Sequence, residues 1–305
     1  MNYKIFTDSS SGLPKSVTEK YPLNVIPVPM TINGEEVTVK SDDDVFLKNF
    51  YVKLRENASM STSCVNKQSF LNRFTPALES GYDVLYIGLS SGLSSTMQNA
   101  CDASKELKEK FPARSVYIID SLNAAQGEGM LVYLALLKQQ EGFSAKEVYD
   151  YITSVRLNLN SLFTVKTLFY LAKGGRISKL SMTVGTVVDI KPIMHVDERG
   201  KLVAPSKVIG RKRSISQIAE NFYKSVINPE EQTVFIGHGD CIDDAKYLAE
   251  LISKKVHVKE FVFNYIDPII AVHSGPDTLA VFSLGTSRVP ENAFVNSVDY
   301  VSEAV

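Results

Sequence analysis

Three cysteines in 305 residues, Cys64, Cys101 and Cys241, are too few and too scattered to frame a disulfide scaffold, and no Cys-x-x-Cys pair suggests zinc or redox work. They read as reduced thiols. The chain opens on Lys4-Ile5-Phe6-Thr7-Asp8, a strand pattern, without a charged leader and apolar stretch, so a cytoplasmic location is expected. No uninterrupted apolar run approaches the ~20 residues that cross a bilayer, which argues against a membrane-spanning segment. Positive charge is not in excess either. With 33 basic and 34 acidic residues the net charge is −1, and no field exists to draw in a polyanion, so nucleic acid is not expected as a partner. His195, His238 and His257 lack metal-ligand spacing, and neither a metal nor a cofactor is expected. Glycine (17) and proline (12) are too few for a low-complexity chain. What is present, 44% hydrophobic and 22% charged residues, is the composition of a folded protein long enough for two domains.

Short Val- and Ile-rich runs at 4–8, 24–28, 83–88 and 115–120 alternate with helical patterns such as 96–111 and 124–140. Such alternation predicts a parallel sheet sandwiched by helices, with ligands beyond the carboxyl ends of its strands. Three of those ends carry polar loops, Thr7 to Gly12, Ser90 to Thr96 and Asp120 to Asn123, which should converge. An Asn33-Gly34 pair within 30–39 predicts a hairpin. Ser41-Asp42-Asp43-Asp44 then caps a helix running to about Arg55. The stretch 59–65 reads as a polar connection. After about Leu159 strands come in groups, at 189–196, 201–209, 233–237, 256–264, 268–273 and 278–284, with helices near 215–226 and 243–254. This predicts a second α/β domain with a mixed sheet. The expected division is 1–158, 159–287 and a tail, 288–305, to which no role is assigned.

The most informative stretch is Tyr86 to Asn99, where a strand passes through a loop of Gly and hydroxyl residues into a helix. Free backbone N–H groups and hydroxyls at a helix start suit an anion. Gly88-Leu89-Ser90-Ser91-Gly92 also matches the G-x-S-x-G nucleophile elbow, which with Asp240 or Asp267 and with His273 allows a serine esterase or lipase. Against this, an elbow's helix begins almost at its nucleophile, whereas here the better helix caps are Ser94 and Ser95. Capping needs one hydroxyl. Thr62, Ser63, Ser90, Ser91, Ser94 and Ser95 are a surplus.

Lys173-Gly174-Gly175-Arg176-Ile177-Ser178 reads as a helix stop with a following cation, serving either as a glycine C-cap or as an anion contact. Arg211-Lys212-Arg213 places three positive charges at the unfavourable end of a helix dipole, which suggests a partner surface. His273-Ser274-Gly275-Pro276 is expected to end a strand in a tight turn.

Together with Thr7-Asp8-Ser9, Thr62-Ser63, Ser90 to Ser94 with Thr96, Asp120-Ser121, Lys191-Pro192-Ile193 and Gly210-Arg211-Lys212, these stretches resemble the DegV family over nearly the whole chain. The resemblance implies two α/β domains and a protein without catalytic activity of its own. Its ligand would be a long-chain fatty acid. In members that serve a bacterial fatty acid kinase, and through it phospholipid metabolism, a separate catalytic subunit phosphorylates the bound carboxylate. Carried over, Thr62 and Ser94 would hold the carboxylate, with Ser63, Ser95, Arg176 and His273 in the head-group region. Residues 159–287 would form the acyl-chain pocket. Arg176, Arg211 and Lys212 are the candidates for kinase docking. The chain departs from the family at Ser95 and Asp277, where glycine is usual, and lacks the proline common shortly after Thr62-Ser63.

Overall fold

The computed structural model describes residues 2–177 and 189–288, so Ser178 and the tail from 289 lie outside the described residues. The chain divides into two compact units. One comprises the residues up to Arg156 together with Asp267–Ile270, and the other comprises Leu157–Ile266 and the described residues from Ala271 onward.

In the first unit β1 (Tyr3–Asp8), β2 (Leu23–Ile26), β6 (Asp83–Gly88) and β7 (Val116–Asp120) form a parallel sheet in the order β2-β1-β6-β7. Val84, Leu85, Tyr86 and Ile87 are all fully buried, as a strand covered on both faces requires. The cover comes from α3 (Lys67–Glu79) packed on α4 (Thr96–Lys110) and from α5 (Gln126–Gln140) packed on α6 (Ala145–Val155). Phe70, Phe74 and Tyr86 stack at ring separations of 5.1 to 6.0 Å within this core. A short helix, α1 (Lys15–Thr18), precedes β2.

The expected hairpin is present as β3 (Met30–Ile32) and β4 (Glu35–Glu36). Asn33 and Gly34 both take positive φ, 53° and 86°, the requirement of the tight turn that matches strand twist. The stretch 59–65 is more than a polar connection, because β5 (Met60–Thr62) adds to β3 as a third antiparallel strand. Three residues are too few for an alternation to show in sequence. Asp43 caps α2 (Asp44–Arg55) by accepting from Val45 N and Phe46 N, both at 3.0 Å.

The second unit contains a mixed six-stranded sheet of β8 (Leu159–Thr164), β9 (Ile190–Val196), β10 (Leu202–Ile209), β11 (Thr233–His238), β12 (Glu260–Tyr265) and β13 (Leu279–Leu284), in the order β10-β9-β8-β13-β11-β12. Only β11 and β12 run parallel. Ile215, Ile218 and Phe222 of α8 (Arg211–Ser225) and Leu248 and Ile252 of α9 (Ile242–Ser253) bury against Leu162, Val234, Ile236 and Val281. α7 (Phe169–Lys173) follows β8. The run 268–273, expected as a strand, is instead the helix α10 (Pro268–Ser274), so His273 closes a helix rather than a strand. Proline at its first turn needs no N–H there, which suits a helix start as well as it suits an extended run.

Candidate functional site

The three polar loops do converge, because adjacent parallel strands β1, β6 and β7 end side by side. Asp8, fully buried, organises them. Its Oδ1 accepts from Ser10 N at 3.0 Å and from the Ser10 hydroxyl, which winds Ser9–Ser11 into a 3-10 turn. Its Oδ2 accepts from Tyr86 OH at 2.7 Å and Leu89 N at 3.2 Å. Burial, and then the Asp8 charge, push the Tyr86 phenol well above its ordinary value. Asp120 Oδ1 accepts from Ser91 N at 3.2 Å and Leu122 N at 2.9 Å, while Ser90 N donates to Asn123 O at 2.9 Å. Leu93 N and Ser94 N both donate to Ser90 O, which turns the loop toward α4.

Ser94 is the residue that caps this helix. Its Oγ lies 3.2 Å from Thr96 N and 3.0 Å from Thr96 Oγ1, whereas Ser95 is exposed and makes no side-chain cap. The buried Thr96 hydroxyl also accepts from Val65 N at 3.1 Å, and Asn99 Nδ2 donates to Val65 O at 2.8 Å. The segment that follows Thr62 is therefore tied to the start of α4. Thr62 sits half-buried at the end of β5 opposite Met30, and the exposed Ser63 is held through its backbone N–H to Pro29 O at 3.0 Å. Ser94 lines a cavity of about 450 Å³ with Ser91, Ser95, Gln98, Asp120 and Arg156, while Thr62 and Ser63 are outside its lining.

Ser90 is fully buried, and its Oγ accepts from Gly92 N at 3.0 Å. An elbow nucleophile needs an exposed Oγ on a strained turn. Ser90 has the place of one in the sequence but not the surroundings.

In the second unit α7 stops at Gly174 and Gly175, the latter at φ 71°, and Arg176 N returns to Leu171 O at 2.9 Å. The Arg176 guanidinium donates to Gly174 O. His273 packs against the same turn so closely that a Cβ on Gly174 would stand 2.5 Å from its Nδ1. Burial, and secondarily the Arg176 charge, hold His273 down to about 4, so its imidazole is neutral at neutral pH. The structure thus brings Arg176 and His273 together. Asp277, at φ 60° where glycine was expected, pairs with Lys166 at 3.1 Å. Arg211 is committed within its own unit, to Asp244 at 2.8 Å and to Cys241 Sγ at 3.6 Å, whereas Lys212 and Arg213 are exposed.

Two further acids are buried: Glu128, which escaped the sequence reading, and Asp267, expected there only as a possible acid of a serine triad. Glu128 accepts from the Thr7 hydroxyl at 3.0 Å and its other oxygen is hydrogen-bonded to the Ser10 hydroxyl at 2.9 Å, and Asp267 accepts from the Ser41 hydroxyl and from Ile269 N. A glutamate set between Gly127 and Gly129 in a helix's first turn was the available signal. Among the described residues no group of three or more His, Cys, Asp or Glu is arranged to hold a metal ion, and no helix is long and apolar enough to cross a membrane.

The family model for an uncharacterised protein of the DegV family matches residues 2–286. The chain belongs to the DegV family. A DegV domain-containing protein of Clostridium perfringens is 38% identical over 288 residues, covering 94% of this chain and 99% of that relative. Among solved DegV structures, a lipid-binding protein of Thermotoga maritima superposes with a TM-score of 0.81 at 27% identity, over 94% of this chain and 100% of that one. A DegV family protein of Thermus thermophilus, described for its fatty acid binding, gives a TM-score of 0.80 at 27% identity, over 93% of this chain and 100% of that one.

Proposed function

We propose that this protein binds a long-chain fatty acid and holds its carboxylate through Ser94 and Thr62 for phosphorylation by a separate kinase subunit. The observation that carries the reading is the tie between Ser94 Oγ, Thr96 Oγ1 and Val65 N, which fixes a hydroxyl at a helix N-terminus beside the segment that bears Thr62. The Thermus and Thermotoga relatives, named for fatty acid and lipid binding, support it. The acyl-pocket role of residues 159–287, the head-group roles of Ser63, Ser95, Arg176 and His273, and kinase docking through Arg176, Arg211 and Lys212 belong to the same proposal.

Energetics suit a carrier. Burying about 15 methylenes contributes on the order of 12 kcal/mol before association costs, at ~0.8 kcal/mol each. Hydroxyl donors add ~1 to 3 kcal/mol apiece, which offsets desolvation of the carboxylate and sets its orientation. A serine hydrolase reading finds little support in a Ser90 that is fully buried.

Denaturing extraction of the purified protein followed by mass spectrometry should release a long-chain fatty acid, and added palmitate should bind to stripped protein. A protein that yields none and takes up none rejects the proposal. Acyl phosphate formed only when a fatty acid kinase catalytic subunit and ATP are added supports the presenting role.

A further inference from the structure

Around Ser94 the hydrogen bonds can be counted proton by proton. A hydroxyl carries one proton and two acceptor lone pairs. Thr96 Oγ1, on a residue only 1% exposed, spends one lone pair on the Val65 N–H at 3.1 Å. Ser94 Oγ spends one on the Thr96 N–H at 3.2 Å. The two hydroxyl oxygens lie 3.0 Å apart, so one donates to the other. If Ser94 donates, its only proton faces Thr96, leaving one free lone pair and no proton to offer an anion. If Thr96 donates, both Ser94 lone pairs are filled and its proton must point elsewhere. Ser94 is half-buried and lines the cavity, so that proton has a way out.

We propose that Thr96 is a positioning residue that turns Ser94 into a donor-only hydroxyl, through a chain running from Val65 N–H to Thr96 O–H to Ser94 O–H to an anionic head group. The inference rests on the reading that Ser94 faces a fatty acid carboxylate, and it adds the origin of the site's preference. A hydroxyl with both lone pairs occupied rejects a donor and accepts only an acceptor, and bonds in one chain polarise each other toward the charge. The same chain explains why the loop needs Thr at 96 in addition to a helix cap. Capping is complete with the Ser94 Oγ contact to Thr96 N, and the Thr96 hydroxyl is needed only to reach Val65 and to set the direction of the Ser94 proton.

The test compares palmitate with hexadecanol, which has the same tail and an uncharged head, on stripped protein by calorimetry. Thr96→Val should weaken palmitate about tenfold, the scale of one charge-assisted bond, and leave hexadecanol within about twofold. Thr96→Ser should restore palmitate binding. Equal palmitate affinity in Thr96→Val and the unsubstituted protein, with Ser94→Ala still impaired, overturns the role of Thr96 and leaves the carboxylate reading standing. Palmitate binding that also survives Ser94→Ala removes both. Should Thr96→Val fail to fold, hydrogen exchange at the Val65 amide of the unsubstituted protein decides the matter. Protection there should rise with palmitate and not with hexadecanol, and equal protection with both ligands overturns the proposal.

Discussion

The carboxyl group of Glu128 accepts the hydroxyl proton of Thr7 at 3.0 Å across 121 residues of chain, with both residues fully buried. On its other oxygen the same carboxyl meets Ser10 Oγ at 2.9 Å, and Ser10 already hydrogen-bonds Asp8. Ser10 has one proton for two carboxyl groups, so satisfying both contacts requires a second proton, which belongs on Glu128. The directions agree, because burial and then the Asp8 and Asp267 charges push Glu128 well above its ordinary 4.5.

The consequence for pH dependence follows from which state holds the proton. Glu128 stays protonated in the folded protein at pH values where the unfolded chain has already released it, so its contribution is fully present below about 4.5 and is lost as pH rises toward the folded value. Asp267, raised by burial from 3.8 to about 7, acts in the same sense between those two values. The groups facing Glu128 are Thr7, Asp8 and Ser10 from β1 and its turn, Tyr86 from β6, and Asp267. Glu128→Gln keeps a neutral side chain of the same shape. Its melting temperature should fall less than that of the unsubstituted protein between mildly acidic and neutral pH. A constant offset at every pH would contradict a proton on Glu128.

Removing the proposed carboxylate contacts gives the second expectation. Ser94→Ala and Thr62→Ala should each weaken fatty acid binding by ~1 to 3 kcal/mol, read by calorimetry, while leaving the parallel sheet intact by circular dichroism. The loss should be larger for Ser94→Ala, which also removes the cap on Thr96 N.

Gly174 is a third point of leverage. A methyl group there would stand 2.5 Å from His273 Nδ1, so Gly174→Ala must push the imidazole away from its buried place. The expected outcome is a His273 titration midpoint that moves up from about 4 toward the ordinary histidine range, together with a destabilisation of roughly 1 to 3 kcal/mol. Nuclear magnetic resonance of the imidazole carbons measures the first and urea unfolding the second.

Charge reversal separates docking from folding in the basic trio. Lys212 is exposed, so Lys212→Glu should leave the melting temperature unchanged and reduce acyl phosphate formation with a kinase subunit. Arg211→Glu would instead set a carboxylate against Asp244, 2.8 Å from the present guanidinium, and should lower stability by ~1 to 3 kcal/mol. Unchanged phosphorylation in Lys212→Glu would remove that residue from the docking surface.

The sheets were legible because their strands are long enough to show a pattern: Val84 to Ile87 is an unbroken apolar run, and β9 and β10 fall within the runs expected at 189–196 and 201–209. Helix α10 was not, since Pro268-Ile269-Ile270-Ala271-Val272 has the composition of a buried strand and seven residues give no helical period to weigh against it. Strand β5 is shorter still. In the site, the Ser94 hydroxyl could be read from its place before a helix, whereas Glu128 could not, and Asp267 entered only as a possible triad acid. Their meaning lies in partners 121 and 226 residues away, Thr7 and Ser41, which no local pattern connects.

The short run Asp267–Ile270 belongs with the first unit although the chain on either side of it belongs with the second. No single cut in the gene therefore yields two complete halves. A fragment ending at Arg156 would leave the Ser41 hydroxyl without the carboxylate it donates to, and a fragment beginning at Leu157 would carry that carboxylate away from its burial place. Truncation, domain exchange or circular permutation of this chain has to treat those residues as borrowed.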